Sequence, residues 1–301
     1  MNLEIKKDLV SNWFQTLQDA FCNDIIKIER NKTKFKSTNW KRNAKKDEGG
    51  GEYRILQNGK VFDKVGVNFS KVYGKFPREF QKNIPGAYKD PKFWATGISV
   101  VMHMKNPLIP AMHFNTRYIC TTHDWFGGGM DVTPSKVDTA EKKEFHKILK
   151  NMCNRHNKNF YRKYKKWCDE YFYLPHRKEA RGIGGIFFDY KKDNFEKDFR
   201  FVRDVGITFQ LIFNKIITKK IKRKWTARDK EMQYVKRGRY AEFNLFNPFR
   251  VIGSLSIIYF HFANGGKDIN IASTLPPVCK PNLVPLSYSK LNSTYLPLFS
   301  Y

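Results

Sequence analysis

Residues 96–120 read TGISVVMHMKNPLIPAMHFNTRYIC, and their alternation decides the architecture. Successive side chains of a strand point to opposite faces. Over 96–104, Ile98, Val100, Met102 and Met104 share one face, while Ser99, Val101 and His103 share the other. Over 113–120, Phe114, Thr116 and Tyr118 oppose His113, Asn115 and Arg117. The segment NPLIP (106–110) breaks the chain between the two runs. Paired as a hairpin, the strands bring Ser99, His103, His113, Asn115 and Arg117 to one polar patch. A guanidinium there suits a carboxylate or phosphate through two parallel hydrogen bonds. The plainer alternative is a solvated sheet face.

Working outward, EYRILQ (52–57), Asn58-Gly59 and KVFDKVGVNFSKV (60–72) predict a second hairpin, since Asn-Gly accepts the positive φ angles of a type I′ turn. The lysine-rich stretch before it, ending in Gly49-Gly50-Gly51, reads as a flexible loop, and residues 75–94 read as loop-like. Val10, Phe14, Leu17, Phe21 and Ile25 step by three and four, predicting an amphipathic helix over about 3–30. Similar spacing predicts helices near 136–153, 158–173 and 198–217. WFGGGMDVTP (125–134) reads as a glycine-rich turn, IFFD (186–189) as a buried strand ending at Asp189, and RGRYAEFNLF (237–246) as an alternating strand. Helices bracketing hairpin-linked strands indicate α+β with a mainly antiparallel sheet.

Composition narrows the function classes. The 301 residues carry 56 Lys+Arg against 28 Asp+Glu, a net charge of +28, and 41% are hydrophobic. That much apolar material builds a core and excludes wholesale disorder. No run approaches a membrane-spanning length. The cysteines (Cys22, Cys120, Cys153, Cys168, Cys279) form no CxxC pair, which argues against a zinc ribbon, a thioredoxin-type site or a disulfide scaffold. The positive charge attracts anions, but AT-rich coding also produces lysine, so it says little about partners. The N-terminus carries no signal-peptide or transit pattern, which points to the cytoplasm.

The chemistry-bearing motifs are few. Gly127–Gly129 and Gly182–Gly185 do not fit GxxxxGK[ST], and RGIGG precedes a strand instead of opening a helix. Nucleotide-binding motifs are therefore not matched. The histidines show no HxxxH pair; a His103, His113, His146 and His176 cluster requires tertiary folding. Asp189 closes an apolar strand, either as a desolvated functional carboxylate or as an exposed strand end.

Six segments together resemble the oxygen-dependent coproporphyrinogen-III oxidase family. They are GGGEYRILQNGKVFDKVGVNFSKVYG (49–74), ATGISVVMHMKNP (95–107), AMHFNTRY (111–118), DWFGGGMDVTP (124–134), KKWCDEYFYLPHRKEARGIGGIFFD (165–189) and RGRYAEFNL (237–245). The resemblance implies one domain over 1–301, with a large antiparallel sheet flanked by helices on both sides, working as a cytoplasmic homodimer without nucleic acid. It implies oxidative decarboxylation of two propionates of coproporphyrinogen III to vinyl groups, giving protoporphyrinogen IX, with dioxygen as co-substrate and no organic cofactor. By position, Ser99 and Asn115-Thr116-Arg117 match substrate-binding residues, and His113 matches the proton donor. His103, His113, His146 and His176 match the ligands of a divalent cation described for some members. Gly265-Gly266-Lys267 stands where the family has a substrate-contacting Gly-Gly-Arg. For this substrate, Arg117, Arg181 and Lys267 would hold carboxylates, and Asp189 would accept from pyrrole N–H groups and help form an electron-rich pyrrole that reacts with dioxygen. The chain departs from the pattern at Asp124, at Tyr190, over 246–264 and over 278–301. Those departures keep open a homologue that binds tetrapyrrole without turning it over, and the charge keeps open a nucleic-acid binder.

Overall fold

An Asn-Gly step, three alternating apolar runs and long helices of heptad-like spacing assemble around one sheet. A computed structural model of the chain describes residues 1–30 and 32–246. Helix α1 (Leu3–Glu29) leads into strands β1 (Lys36–Lys41), β2 (Gly49–Gln57) and β3 (Phe62–Lys75). A single-turn helix α2 (Arg78–Gln81) precedes strands β4 (Lys92–Met104), β5 (Ala111–Cys120) and β6 (Asp124–Thr133). Helices α3 (Thr139–His156) and α4 (Phe160–Tyr171), the two-residue strands β7 (Tyr173–Leu174) and β8 (Glu179–Ala180), and strand β9 (Gly185–Lys191) follow. Helices α5 (Phe195–Lys220) and α6 (Ala227–Phe246) end the described chain.

The main sheet has seven strands in the order β1-β2-β3-β4-β5-β6-β9, with every neighbour antiparallel. One face is mainly apolar. Val65, Val67, Val100, Met102, Phe114, Met130, Ile186 and Phe188 pack there against α1 and α5 in the main core. Helix α1 sits on β3 and β4, and α5 on β5 and β6. Phe21 of α1 meets Phe114 edge-on at 5.5 Å between centroids, and Phe209 of α5 stacks on Phe114 at 5.0 Å. Aromatic pairs of this geometry add to the burial of their area. Helix α6 lies against the opposite face. Gln233 and Arg237 both donate to the Met104 carbonyl, at 2.8 and 3.0 Å.

Several sequence expectations are corrected. The glycine-rich segment expected as a turn is strand β6. Its glycines serve close approach, not reversal. A Cβ on Gly127 would lie 2.5 Å from Asp189 Oδ1 and 2.7 Å from Arg117 Nη2. Residues 237–246, expected as a strand, belong to α6. The alternation there is incidental, because Gln233, Arg237, Tyr240 and Phe243, spaced by four, three and three, are the buried positions of a helix. The expected loop before residue 52 contains β1, and Gly49–Gly51 pair within the sheet. Part of the loop expected over 75–94 is α2, and β4 begins at Lys92. The strand expected to end at Asp189 continues to Lys191.

The 52–72 hairpin forms, but not on a two-residue turn. Asn58 alone is left-handed, at φ +57°, and residues 58–61 bridge Gln57 to Phe62. The reason is Glu29, the last residue of α1. Its buried carboxylate accepts from the Val61 amide at 2.8 and 2.9 Å and from the Phe62 amide at 3.2 Å. Gly59 has no side chain, and a Cβ there would stand 2.5 Å from Glu29 Oε1. Helix α1 is thereby fastened to the hairpin it covers. Losing the acceptor strands two buried N–H groups, so Glu29→Ala is expected to lower unfolding stability by about 3 kcal/mol. Urea denaturation checks this, with Glu29→Gln recovering part of the loss.

Candidate functional site

The polar face is a lattice whose rows follow from strand register. Residues directly opposite in an antiparallel pair share a face. One row runs Gly66, Val101, His113, Asp131, Gly185. The next runs Asn68, Ser99, Asn115, Gly129, Phe187, and a third runs Ser70, Gly97, Arg117, Gly127. A register shift in the β6–β9 pairing brings Asp189 alongside the last of these rows. His103 lies opposite Lys64, one step beyond His113.

Two buried ion pairs organise this face. Arg117 Nη2 donates to Asp189 Oδ2 at 2.6 Å, and Nη1 to Asn115 Oδ1 at 3.2 Å. Gly127 leaves the room for that pair. Arg181 Nη2 donates to Asp131 Oδ2 at 2.5 Å, and His113 Nδ1 stands 3.3 Å from the same oxygen. The Arg181 guanidinium also lies 3.9 Å from the Phe172 ring centroid and 4.8 Å from that of Phe243. Breaking either pair would leave an uncompensated buried charge, which is strongly unfavourable.

The charges set the proton states. Burial opposes ionisation of Asp131, yet the Arg181 guanidinium and then His113 outweigh it and hold the carboxyl at about 2. Burial depresses the His113 imidazole, only partly offset by Asp131. His113 is therefore neutral near pH 7. With its proton on Nδ1, as the bond to Asp131 assigns, Nε2 presents a lone pair. Nε2 is buried without a partner among the described residues. Tyr240 stacks flat on the ring at 4.7 Å and covers one of its faces. The cavity between His103, His113, Gln233, Arg237 and Tyr240 measures about 20 Å³.

The structure thus gathers Ser99, His113, Asn115, Arg117, Arg181 and Asp189 on or beside one face. Thr116 is not among them. It lies opposite Ile98 and Gly128, so its side chain is on the helix-packed face and its backbone alone borders the site. Gly265, Gly266 and Lys267 lie outside the described residues, as does nearly all of the divergent 246–264 segment and all of 278–301. The four-histidine set does not converge. His103 and His113 rings are 6.3 Å apart, but His146 Nε2 is bonded to the Ile183 carbonyl at 2.9 Å, and His176 sits in an exposed turn at 175–177. Among the described residues, no three His, Cys, Asp or Glu side chains are grouped to hold a metal ion. These donors do not fit a cation. A wider groove of about 630 Å³, lined by Trp40, Lys41, Gly49–Gly51 and Lys71, carries none of the expected site residues.

Asp131, Asn68, Arg237 and Tyr240 are absent from the sequence reading. Asp131 was legible. In 125–132 the large apolar Phe126, Met130 and Val132 alternate with Gly127, Gly129 and Asp131, a period-two signal masked by the glycines. Tyr240 had the helical spacing from Gln233 and Arg237 noted above.

Comparison with known proteins places the chain in a family. Residues 9–255 match the family model described as coproporphyrinogen III oxidase. An oxygen-dependent coproporphyrinogen-III oxidase of Rickettsia akari (strain Hartford) is 50% identical over 248 residues, covering 79% of this chain and 88% of that protein. The like-named protein of Rickettsia rickettsii (strain Sheila Smith) is 50% identical over 254 residues, covering 81% and 89%. That of Rickettsia bellii (strain RML369-C) is 48% identical over 248 residues, covering 79% and 88%. Matched over most of its length by that family model and half identical to proteins of that name, this chain belongs to the coproporphyrinogen III oxidase family.

Proposed function

We propose that this chain is an oxygen-dependent coproporphyrinogen-III oxidase. It converts two propionates of coproporphyrinogen III to vinyl groups, yielding protoporphyrinogen IX for haem biosynthesis. The observation that carries this reading is the buried polar sheet face, which joins guanidinium, carboxylate and imidazole groups in a chain half identical to enzymes of that name. Each turnover step balances as one propionic acid arm plus O2 giving one vinyl group, CO2 and H2O2. The substrate loses two electrons, and dioxygen takes them. An electron-rich reduced tetrapyrrole supplies those electrons itself, so the scheme calls on no organic cofactor.

The residues divide the work by charge. Arg117 keeps Nε without a partner among the described residues, and that N–H faces a propionate in this reading. Ser99 and Asn115 are half-buried beside it and border the bound acid arm. Asp189, oriented by Arg117, accepts from a pyrrole N–H and favours its deprotonation. The pyrrole anion attacks dioxygen, and peroxide departs as the arm loses CO2. His113 Nε2 takes the proton from the side-chain carbon next to the ring, whose C–H bond breaks as the vinyl C=C forms and CO2 leaves, and returns it to the departing peroxide. Asp131 stabilises the imidazolium formed between those steps. Tyr240 covers one face of the ring, so substrate approaches Nε2 from the other face or the edge. The resemblance further supports a second cation at Lys267 and assembly as a cytoplasmic homodimer, which light scattering and cell fractionation check.

Aerobic incubation with coproporphyrinogen III, reading protoporphyrinogen IX and peroxide, tests the activity. Binding without product would favour instead a tetrapyrrole-holding homologue, the reading motivated by the departure over 246–264. Asp189→Ala is expected nearly to abolish turnover. Asp189→Asn preserves the shape and one hydrogen bond from Arg117, and its kcat should fall by about 10²-fold or more while circular dichroism stays unchanged. Near-normal kcat in the Asn variant would remove Asp189 from the reaction.

Acidification has a worked sign. Unfolded, His113 takes a proton near pH 6.5; folded, it does so only at lower pH. Below about pH 6.5 the unfolded chain therefore binds more protons, and stability declines. Asp131 adds a second decline as pH falls from 3.8 toward about 2. Unfolding midpoints measured from pH 7.5 to 5 should drop, and His113→Gln should flatten that drop.

A further inference from the structure

Asn68 of β3 extends the polar face one strand beyond the two that the sequence singled out. It lies opposite Ser99, which lies opposite Asn115, so three small polar side chains cross three strands in one row. Asn68 is 3% exposed, yet its Oδ1 has no hydrogen-bond partner among the described residues. Ser70 Oγ, two residues along the same face, is likewise buried and unpaired there. On the opposite face two buried polar side chains beside this strand are matched, although Thr116 Oγ1 of β5 is not. Gln18 Nε2 donates to the Val67 carbonyl at 3.0 Å, and Thr96 Oγ1 to the Ser70 carbonyl at 2.8 Å. A buried carboxamide oxygen without a donor is unfavourable, and such atoms in native proteins call for an explanation.

The chemistry of the ligand identifies the missing donor. At neutral pH the four propionates are acceptors only, like Oδ1 itself, so they cannot bond to it. The pyrrole N–H groups are the donors that coproporphyrinogen III offers. The macrocycle offers four such N–H groups, and Asp189, which takes one in the reading above, also accepts from Arg117 and from the Tyr190 amide, so further N–H groups are left for another acceptor. We propose that Asn68 is a further substrate-binding residue whose carboxamide oxygen accepts a pyrrole N–H of the tetrapyrrole. This rests on the tetrapyrrole reading above. In it, Arg117 holds the acid rim while Asn68 holds the macrocycle's centre, and the row through Ser99 and Asn115 sets the distance between them.

Asn68→Leu replaces the carboxamide with an apolar group of similar shape. Binding is measured without oxygen, by titrating coproporphyrinogen III against tryptophan fluorescence, so affinity is read apart from turnover. The expected result is about tenfold weaker binding and a similarly raised KM, with kcat within a few-fold and the urea midpoint unchanged or higher. A residue of merely structural role would lower the midpoint and leave affinity alone. Asn68→Ala, which cannot overfill the site, carries the test should the Leu variant not fold, with the same expected loss of affinity. Thr96→Val, on the opposite face, serves as control and should lower the midpoint at unchanged affinity. Affinity within twofold of wild type in the Asn68 variants overturns the proposal. Failure of the wild-type chain to bind coproporphyrinogen III overturns the tetrapyrrole reading itself, which separates the two.

Discussion

The salt bridge between Arg117 and Asp189 ties the outer strand β9 to the centre of the sheet, and the site depends on it. Both side chains are buried, and their nitrogen–oxygen distance is 2.6 Å. A guanidinium removed from water needs a carboxylate nearby, and a carboxylate removed from water needs donors. Each therefore holds the other inside the protein. The pair fits because β6 has glycine at 127, directly opposite Arg117. A methyl group there would push the two charges apart. The glycine run of β6 is thus an electrostatic feature as much as a backbone one.

The second pair, Arg181 with Asp131, works through His113. Asp131 is ionised across the physiological range, and it faces an imidazole that burial keeps neutral. That combination leaves Nε2 basic and ready to be charged, with a negative group already in place behind it. Aromatic rings pack over Arg181 and His113 and shield both from water. Shielding strengthens every interaction on this face. It also makes each unmatched polar atom costly, which is why the unpaired atoms of His113, Arg117 and Asn68 are informative about what binds.

The face was legible in the sequence where side-chain period and hairpin proximity coincide. Strands β4 and β5 are joined by six residues, so their register follows from a short loop, and the alternation placed Ser99, His113, Asn115 and Arg117 together. The glycine-rich stretch reads locally as a turn because glycine marks both a reversal and a close approach, and nothing local separates them. Residues 237–246 differ from their local pattern for a related reason. Alternation and helical spacing overlap over ten residues, and the choice between them depends on whether the far side of Arg237 meets Asp63 and Met104. Those partners are more than a hundred residues away in the chain.

The sequence by itself determined which segments alternate, which spiral, and which side chains share a strand face, because these depend on neighbours two to four residues apart. Its long ordered motifs also determined the family. Tertiary structure decided which charges meet. Arg117 with Asp189, Arg181 with Asp131, and Glu29 with the 58–61 turn join residues 72, 50 and about thirty positions apart. It likewise decided that four candidate histidines do not share a centre. Pairing over such spans depends on strand order and on which face each helix covers, and no local period encodes either.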